Sequence, residues 1–348
     1  MRLSRLIIVS ALLVGLCALA GKAQIKIHHI NVGQGETTLF EFKTAAILVD
    51  AGGSRTNRVK AHLFAYLDAF FVRRADLNRS FYSVIITHPH QDHTLYLLEI
   101  MDRYRVRNLV DNGDTADRNT VEDLIEARAK IEQANLENPG SAIYNRVDAE
   151  DISASGYTTQ WFKDLKNSAS KVEITFLNAS RNCENPNNDS LVVLVKYKQT
   201  KILVTGDAEW DTEDETCTPP IQRMLARFGN GNLMDVDVYK VGHHGSPNGT
   251  REDYLRELTP KISIVSAGFH DDNNAKRYGH PRRSVIQLLL QFTNNLRTPK
   301  QVYAMDRGGG SPINMGVSKA VYCTCWDGDI VVPTNAAGKL LPVETSSN

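Results

Sequence analysis

Residues 87–93 read Thr87-His88-Pro89-His90-Gln91-Asp92-His93, which places three imidazoles and one carboxylate within six positions. Ring nitrogens and carboxylate oxygens are the donors that borderline divalent cations such as Zn2+ accept. Packed this tightly, they would be costly to leave without a shared partner. The string follows Tyr82 to Ile86, an apolar run that predicts a short buried strand over Tyr82–Thr87, and it precedes a helical stretch expected from near Leu95. A strand's carboxyl end leading into a helix is where α/β folds place chemistry.

Upstream, Ile25, Ile27 and His29 alternate with Lys26, His28 and Ile30, which reads as a strand. Gly33-Gln34-Gly35 interrupts it, and Thr37 to Phe42 resumes an extended pattern. Ala45 to Val49 predicts another strand, closed by Asp50-Ala51-Gly52-Gly53. Arg58 to Phe71 predicts a helix with Leu63, Tyr66, Leu67 and Phe70 on one face. Downstream, residues 111–170 are polar, with a helix expected at Val121 to Ala134 and no strong strand, so about 114–170 reads as an insertion over the site. Strands return at Lys171 to Leu177, Ser190 to Tyr197 and Lys201 to Val204, the last followed by Thr205-Gly206-Asp207. Asp235 to Val241 and Lys261 to Ser266 predict two more, with a helix between them around Arg251 to Leu258. Ser246, a nucleophile on a first reading, fits better as the N-cap of that helix. No internal repeat and no Gly/Ser or Pro linker divides the chain, so residues 24–348 read as one domain.

With 348 residues, 42% hydrophobic and 23% charged, the chain can bury a large core, and nothing suggests disorder. Lys plus Arg and Asp plus Glu each total 40, so no basic excess points to nucleic acid, although a local basic groove is compatible with a net charge of zero. At the amino terminus Arg2 and Arg5 precede the apolar run Leu6 to Leu19, and small residues follow at Ala18, Ala20, Gly21 and Ala23. Residues 1–23 therefore read as a cleavable signal peptide, too short for a comfortable membrane span, and the protein is expected to be exported, periplasmic or secreted. An uncleaved anchor is the alternative. Cys17 leaves with the leader, so Cys183, Cys217, Cys323 and Cys325 remain, and at least one disulfide among them is expected.

Taken together, the His88-to-His93 string resembles the HxHxDH signature of the metallo-β-lactamase superfamily. The remaining motifs of that family fall in its order, with Asp50 at the end of an early strand, Asp207 after Gly206, and His243-His244 in Val241 to Ser246. A closer resemblance is to the extracellular hydrolase-like domain of the ComEC type of competence protein. It is carried by Asn31 to Gly35, Thr87 to His93, Asn188 to Val192, Thr205 to Asp207, Lys240 to Ser246 and Tyr278 to Pro281. It covers most of residues 25 to 335 apart from the segment near 114–170. Phosphorylcholine esterases of the same superfamily are a looser likeness.

The resemblance implies an αββα sandwich of two mixed sheets with helices outside, and two divalent metal ions, Zn2+ first and Mn2+ as the alternative. It implies His88, His90 and bridging Asp207 for the first ion, and Asp92, His93, Asp207 and His243 or His244 for the second, with Asp50 supporting the site. Many members carry a third histidine for the first ion before the strand that begins here at Ser190, where this chain offers only Asn187, Asn188 and Asp189. Asp92, His244 and His280 are the candidate catalytic residues, and a histidine at 243, 244 or 280 is expected to protonate the leaving group. His280 reads equally as a satisfied histidine before Pro281.

The ComEC-like and phosphorylcholine-esterase likenesses both point to water activated by two metals acting on phosphodiesters, in DNA, a phosphorylated small molecule or an envelope polymer. Amide, lactam or thioester hydrolysis and a silent secreted binding module are the alternatives. No long apolar segment follows residue 24, so the channel that accompanies the ComEC domain, and DNA import with it, are not expected.

Overall fold

A computed structural model describes residues 24–115, 121–211, 217–268 and 277–347; the expected signal peptide lies outside them. Two sheets form the centre. One has eight strands in the order Glu344–Thr345, Ile330–Thr334, Ile25–His29, Thr38–Glu41, Ala46–Val49, Ser83–Ile85, Asn108–Asp111 and Ile143–Arg146. The other has six, in the order Val321–Cys323, Ile262–Val265, Val238–Lys240, Thr200–Val204, Val192–Tyr197 and Val172–Asn178. Both are mixed, with antiparallel pairing on one side giving way to parallel pairing on the other.

Period-two side-chain alternation explains how one strand serves two cores. In Ala46–Val49, Ile47 and Val49 enter the core between the sheets, alongside Phe40, Ile174, Val193 and Val204. Ala46 and Leu48 enter a second core on the outer face with Leu63, Leu67 and Phe71 of the helix Asn57–Arg73. Thr56 caps that helix, accepting a bond from the Val59 amide. On the outer face of the six-stranded sheet, the helices Pro220–Phe228, Glu252–Leu258 and Arg283–Phe292 bury Met224, Leu255 and Leu289. The architecture is the αββα sandwich expected from the sequence.

The segment expected as an insertion with no strong strand, about 114–170, contributes one short edge strand. Ile143–Arg146 pairs in parallel with Asn108–Asp111 as an edge strand, and the intervening helix Glu122–Glu137 sends Leu124, Ala127 and Ile131 into the outer core. Among the described residues, none from 114–170 lines the cavity described below. Ser246 does not cap the helix after it: Arg251 holds that position, and Ser246 precedes a 3-10 turn over Pro247–Gly249 without a side-chain cap bond. The helix after the histidine string begins at Gln91, earlier than expected, and a second follows at Leu97–Arg103. Cys183 pairs with Cys217, and Cys323 with Cys325.

Candidate metal centre

The strands that carry the motifs end at one edge of the sandwich. Ala46–Val49 leads into Asp50, Ser83–Ile85 into the His88 string, Thr200–Val204 into Asp207, and Val238–Lys240 into His243 and His244. Close approach of these loops depends on glycine. A Cβ on Gly52 would fall 1.7 Å from the Asp92 carbonyl oxygen, and one on Gly206 (φ +51) would fall 2.6 Å from Thr87 Oγ1.

Asp50, fully buried and itself at φ 59, anchors the string. Its carboxylate accepts bonds from the Thr87 amide (2.8 Å), Thr87 Oγ1 (2.9 Å) and His93 Nδ1 (2.7 Å). His93 is thereby fixed with Nε2 turned into the site. His244 is fixed the same way by Nδ1 donating to the Ser266 carbonyl oxygen at 2.8 Å, a partner that can only accept. Both Nδ1 atoms therefore carry protons, and in the neutral rings the two Nε2 lone pairs face each other at 3.3 Å.

Asp207 sits between them. Its Oδ1 lies 3.2 Å from His93 Nε2, and its Oδ2 lies 3.5 Å from His244 Nε2 and 3.9 Å from His88 Nε2. Asp92 Oδ2 is 3.3 Å from His244 Nε2. Two donor sets result, each with atoms mutually within 4.8 Å: Asp92, His93, Asp207 and His244, and His88, His90 and Asp207. Asp207 belongs to both.

The donor chemistry fits a pair of divalent cations. Asp207 Oδ1 is buried and accepts no hydrogen bond, and opposed imidazole lone pairs repel without a positive centre between them. Burial opposes charge on His93 and His244, yet Asp207 with Asp50 raises His93 well above the ordinary histidine value. Asp207 with Asp92 likewise raises His244 to about 10. The carboxylates thus demand positive charge at this point, and a cation supplies it without crowding two imidazolium rings together.

His243 and His280 fall outside both sets. His243 Nδ1 is 3.0 Å from Glu209 Oε1 and from Asn248 Oδ1, with Nε2 3.8 Å from Asp207 Oδ2. The choice between His243 and His244 left open by the sequence thus falls geometrically on His244. His280 Nδ1 lies 3.3 Å from Gln34 Nε2, and burial together with the neighbouring His244 and His243 pushes its pKa down to about 2. The site opens into a cavity of about 500 Å³ whose lining includes His90, Asp92, Asp207, Asn187, Gln34 and His280, with Arg55, Arg277 and Tyr278 exposed at its margin. Sequence reading passed over Gln34, Arg55, Arg277 and Glu209. Gln34 lay within the Asn31 to Gly35 string, and Glu209 offered a signal as a carboxylate two positions past Asp207. Behind the site, Lys240 Nζ and Glu36 Oε2 form a fully buried ion pair at 2.7 Å, tying the second sheet to the loop before Thr37.

The chain is similar to several known proteins. ComE operon protein 3 of Bacillus subtilis is 28% identical over 282 residues, covering 76% of this chain and 30% of that protein. Competence protein ComA of Neisseria gonorrhoeae is 31% identical over 115 residues, covering 33% of this chain and 14% of that protein. The chain spans less than a third of the length of either relative. Among solved structures, CmlA, a diiron β-hydroxylase from Streptomyces venezuelae, is 16% identical with a TM-score of 0.44, covering 77% of this chain and 51% of that one. Residues 30–270 match the family model of the metallo-beta-lactamase superfamily. That match spans well over half of the chain, including the Asp50 loop, the histidine string, Asp207 and the His243-His244 turn, and on it the chain belongs to the metallo-beta-lactamase superfamily.

Proposed function

We propose that this protein is an exported phosphodiesterase or nuclease that holds two divalent cations, Zn2+ or Mn2+, between His88, His90, Asp92, His93, Asp207 and His244. The observation that carries the proposal is the pair of donor sets sharing Asp207 at the floor of a polar cavity edged by Arg55 and Arg277. When bound there, the cations would lower the pKa of water toward neutrality and offset charge on phosphoryl oxygens.

The chain's own groups do the rest. Asp50 and the Ser266 carbonyl lock the tautomers of His93 and His244. Asp92 and Asp207 keep positive charge concentrated at one point. Arg55 and Arg277 supply cationic planes at the mouth, suited to a substrate with a negative backbone. His243, whose Nδ1 is held by Glu209, presents Nε2 toward the cavity floor and is the candidate proton donor to a leaving oxygen. His280, neutral and held by Gln34, serves as a hydrogen-bonding wall. A relative named competence protein ComA fits a nucleic-acid phosphodiester. Export is supported by the leader-like residues 1–23 and by the Cys183–Cys217 pair, which suits an oxidising compartment.

The test is metal analysis of the purified mature protein, followed by assays on bis(p-nitrophenyl) phosphate, single-stranded DNA and nitrocefin, with and without chelator. Phosphodiester cleavage lost on chelation and restored by Zn2+ or Mn2+ is expected. Nitrocefin turnover without phosphodiester cleavage would replace the proposal with a lactamase reading, and bound metal without any turnover would replace it with a binding module.

A further inference from the structure

The two donor sets are unequal, one offering four side chains and the other only His88, His90 and Asp207. Beside the smaller set, Asn187 lines the same cavity as His90 and Asp207. It is 6% exposed, and its Oδ1 is buried with no hydrogen-bond partner. A buried amide oxygen without a hydrogen-bond partner is costly to leave unsatisfied, and a cation in the cavity would satisfy it.

The orientation of this amide is chemically determined. Asn187 Nδ2 donates to Glu209 Oε1 at 2.7 Å, and a flipped amide would set oxygen against carboxylate, so Oδ1 must face away from Glu209. Glu209, 3% exposed, is the hub of this wall. The same Oε1 is 3.0 Å from His243 Nδ1, and Oε2 accepts from Asn185 Nδ2 at 3.0 Å. One carboxylate therefore aims both the Asn187 oxygen and the His243 Nε2.

We infer that Asn187, positioned by Glu209, supplies its carboxamide oxygen as the fourth protein ligand of the first cation, beside His88, His90 and Asp207. The inference rests on the two-cation reading above. An amide oxygen is a harder donor than imidazole, so the first position, with two nitrogens and two oxygens, favours Mn2+ more than a site built from three histidines would.

The test titrates the mature protein with Mn2+ and with Zn2+ by calorimetry, and records Co2+ absorption spectra, for the wild type, Asn187→Ala, Asn187→His and Glu209→Gln. The wild type is expected to bind two ions. Asn187→Ala should weaken one site by about 10- to 100-fold, the range for losing a supporting group at a metal site, and leave the other unchanged. Asn187→His should restore that site for Zn2+ while losing Mn2+ affinity, and should shift the Co2+ spectrum. Glu209→Gln, which leaves Asn187 in place but removes the charge that orients it, should weaken the same site in the same direction.

Two full-affinity sites in Asn187→Ala, or no gain of Zn2+ over Mn2+ in Asn187→His, would overturn the inference and leave the two-cation reading intact. If Asn187→Ala does not fold, Asn187→His decides by the same criterion. A wild type that binds fewer than two ions would overturn both.

Discussion

Replacing Asp207 by alanine removes the only carboxylate common to both donor sets. Within 4 Å of its oxygens lie His88 Nε2, His93 Nε2, His243 Nε2 and His244 Nε2, so the substitution leaves converging imidazoles without the anion that offsets repulsion between two cations. A ligand present at 100 times its dissociation constant stabilises the fold by about 2.7 kcal/mol, and a 100-fold loss of affinity reduces that to about 0.4 kcal/mol. The difference of about 2.3 kcal/mol per ion corresponds to a fall in the holo melting temperature of roughly 5 °C per ion, at about 2 °C per kcal/mol for a domain of this size. The metal-free melting temperature should fall too, because burial opposes the Asp207 charge but His244, His93 and His243 outweigh it and hold its pKa well below the ordinary value, so the metal-dependent gain is the quantity to compare. Turnover should drop by at least about 10²-fold, the scale on which removing one electrostatic stabiliser of a transition state acts. The assay pairs thermal melts of apo and metal-loaded protein with phosphodiester cleavage. An Asp207→Ala protein that melts with the wild-type metal-dependent gain and cleaves at more than a tenth of the wild-type rate would refute the bridging role.

Other predictions follow from the same geometry. His90→Ala should deplete mainly the first ion and Asp92→Ala mainly the second, read as different residual metal in two inactive variants by elemental analysis. Gly52→Ala, whose methyl would fall 1.7 Å from the Asp92 carbonyl oxygen, should displace that loop and lower affinity at the second position, measured by metal titration. Ser246→Ala should keep most activity, because Ser246 caps no helix through its side chain; loss of activity with metal retained would point to a serine nucleophile. For Glu41, burial raises the carboxyl pKa, but hydrogen bonds from His28 and Arg73 outweigh it and hold the group well below the usual range. Its contribution is therefore present above about pH 4.3 and lost as the pH falls below that value. Glu41→Gln should lower the urea midpoint at pH 7 and flatten its decline between about pH 5 and pH 3.

The strand-to-helix loop at His88 was legible because a metal site needs its donors at short spacing, and spacing survives in a linear sequence. The sandwich was legible through resemblance, and its first strands also through alternation. The edge strand Ile143–Arg146 was not: its burial pattern is largely exposed, so it carries no apolar alternation, and only pairing with Asn108–Asp111 makes it a strand. The strands after Ser266 were unread for a related reason. Leu296–Met305 is half exposed and pairs with Pro312–Lys319 outside the two main sheets, while Ile330–Thr334 gains its identity by returning to Ile25–His29 across the whole chain. Within the site, His243 and His244 are indistinguishable in sequence. What separates them is that Ser266 faces one ring and Glu209 the other, both contacts set by loops from different strands. The pairing of Cys183 with Cys217 was likewise invisible, since sequence gives the count of cysteines and not their approach.

The central claim is that two cations share Asp207, and anomalous diffraction from crystals of the purified protein grown with Zn2+, collected on both sides of the zinc edge, tests it most directly. The account predicts two peaks, one within ligand distance of His88, His90 and Asp207, the other within ligand distance of Asp92, His93, Asp207 and His244. No peak at this edge of the sandwich, or a single ion whose ligands exclude Asp207, would contradict it.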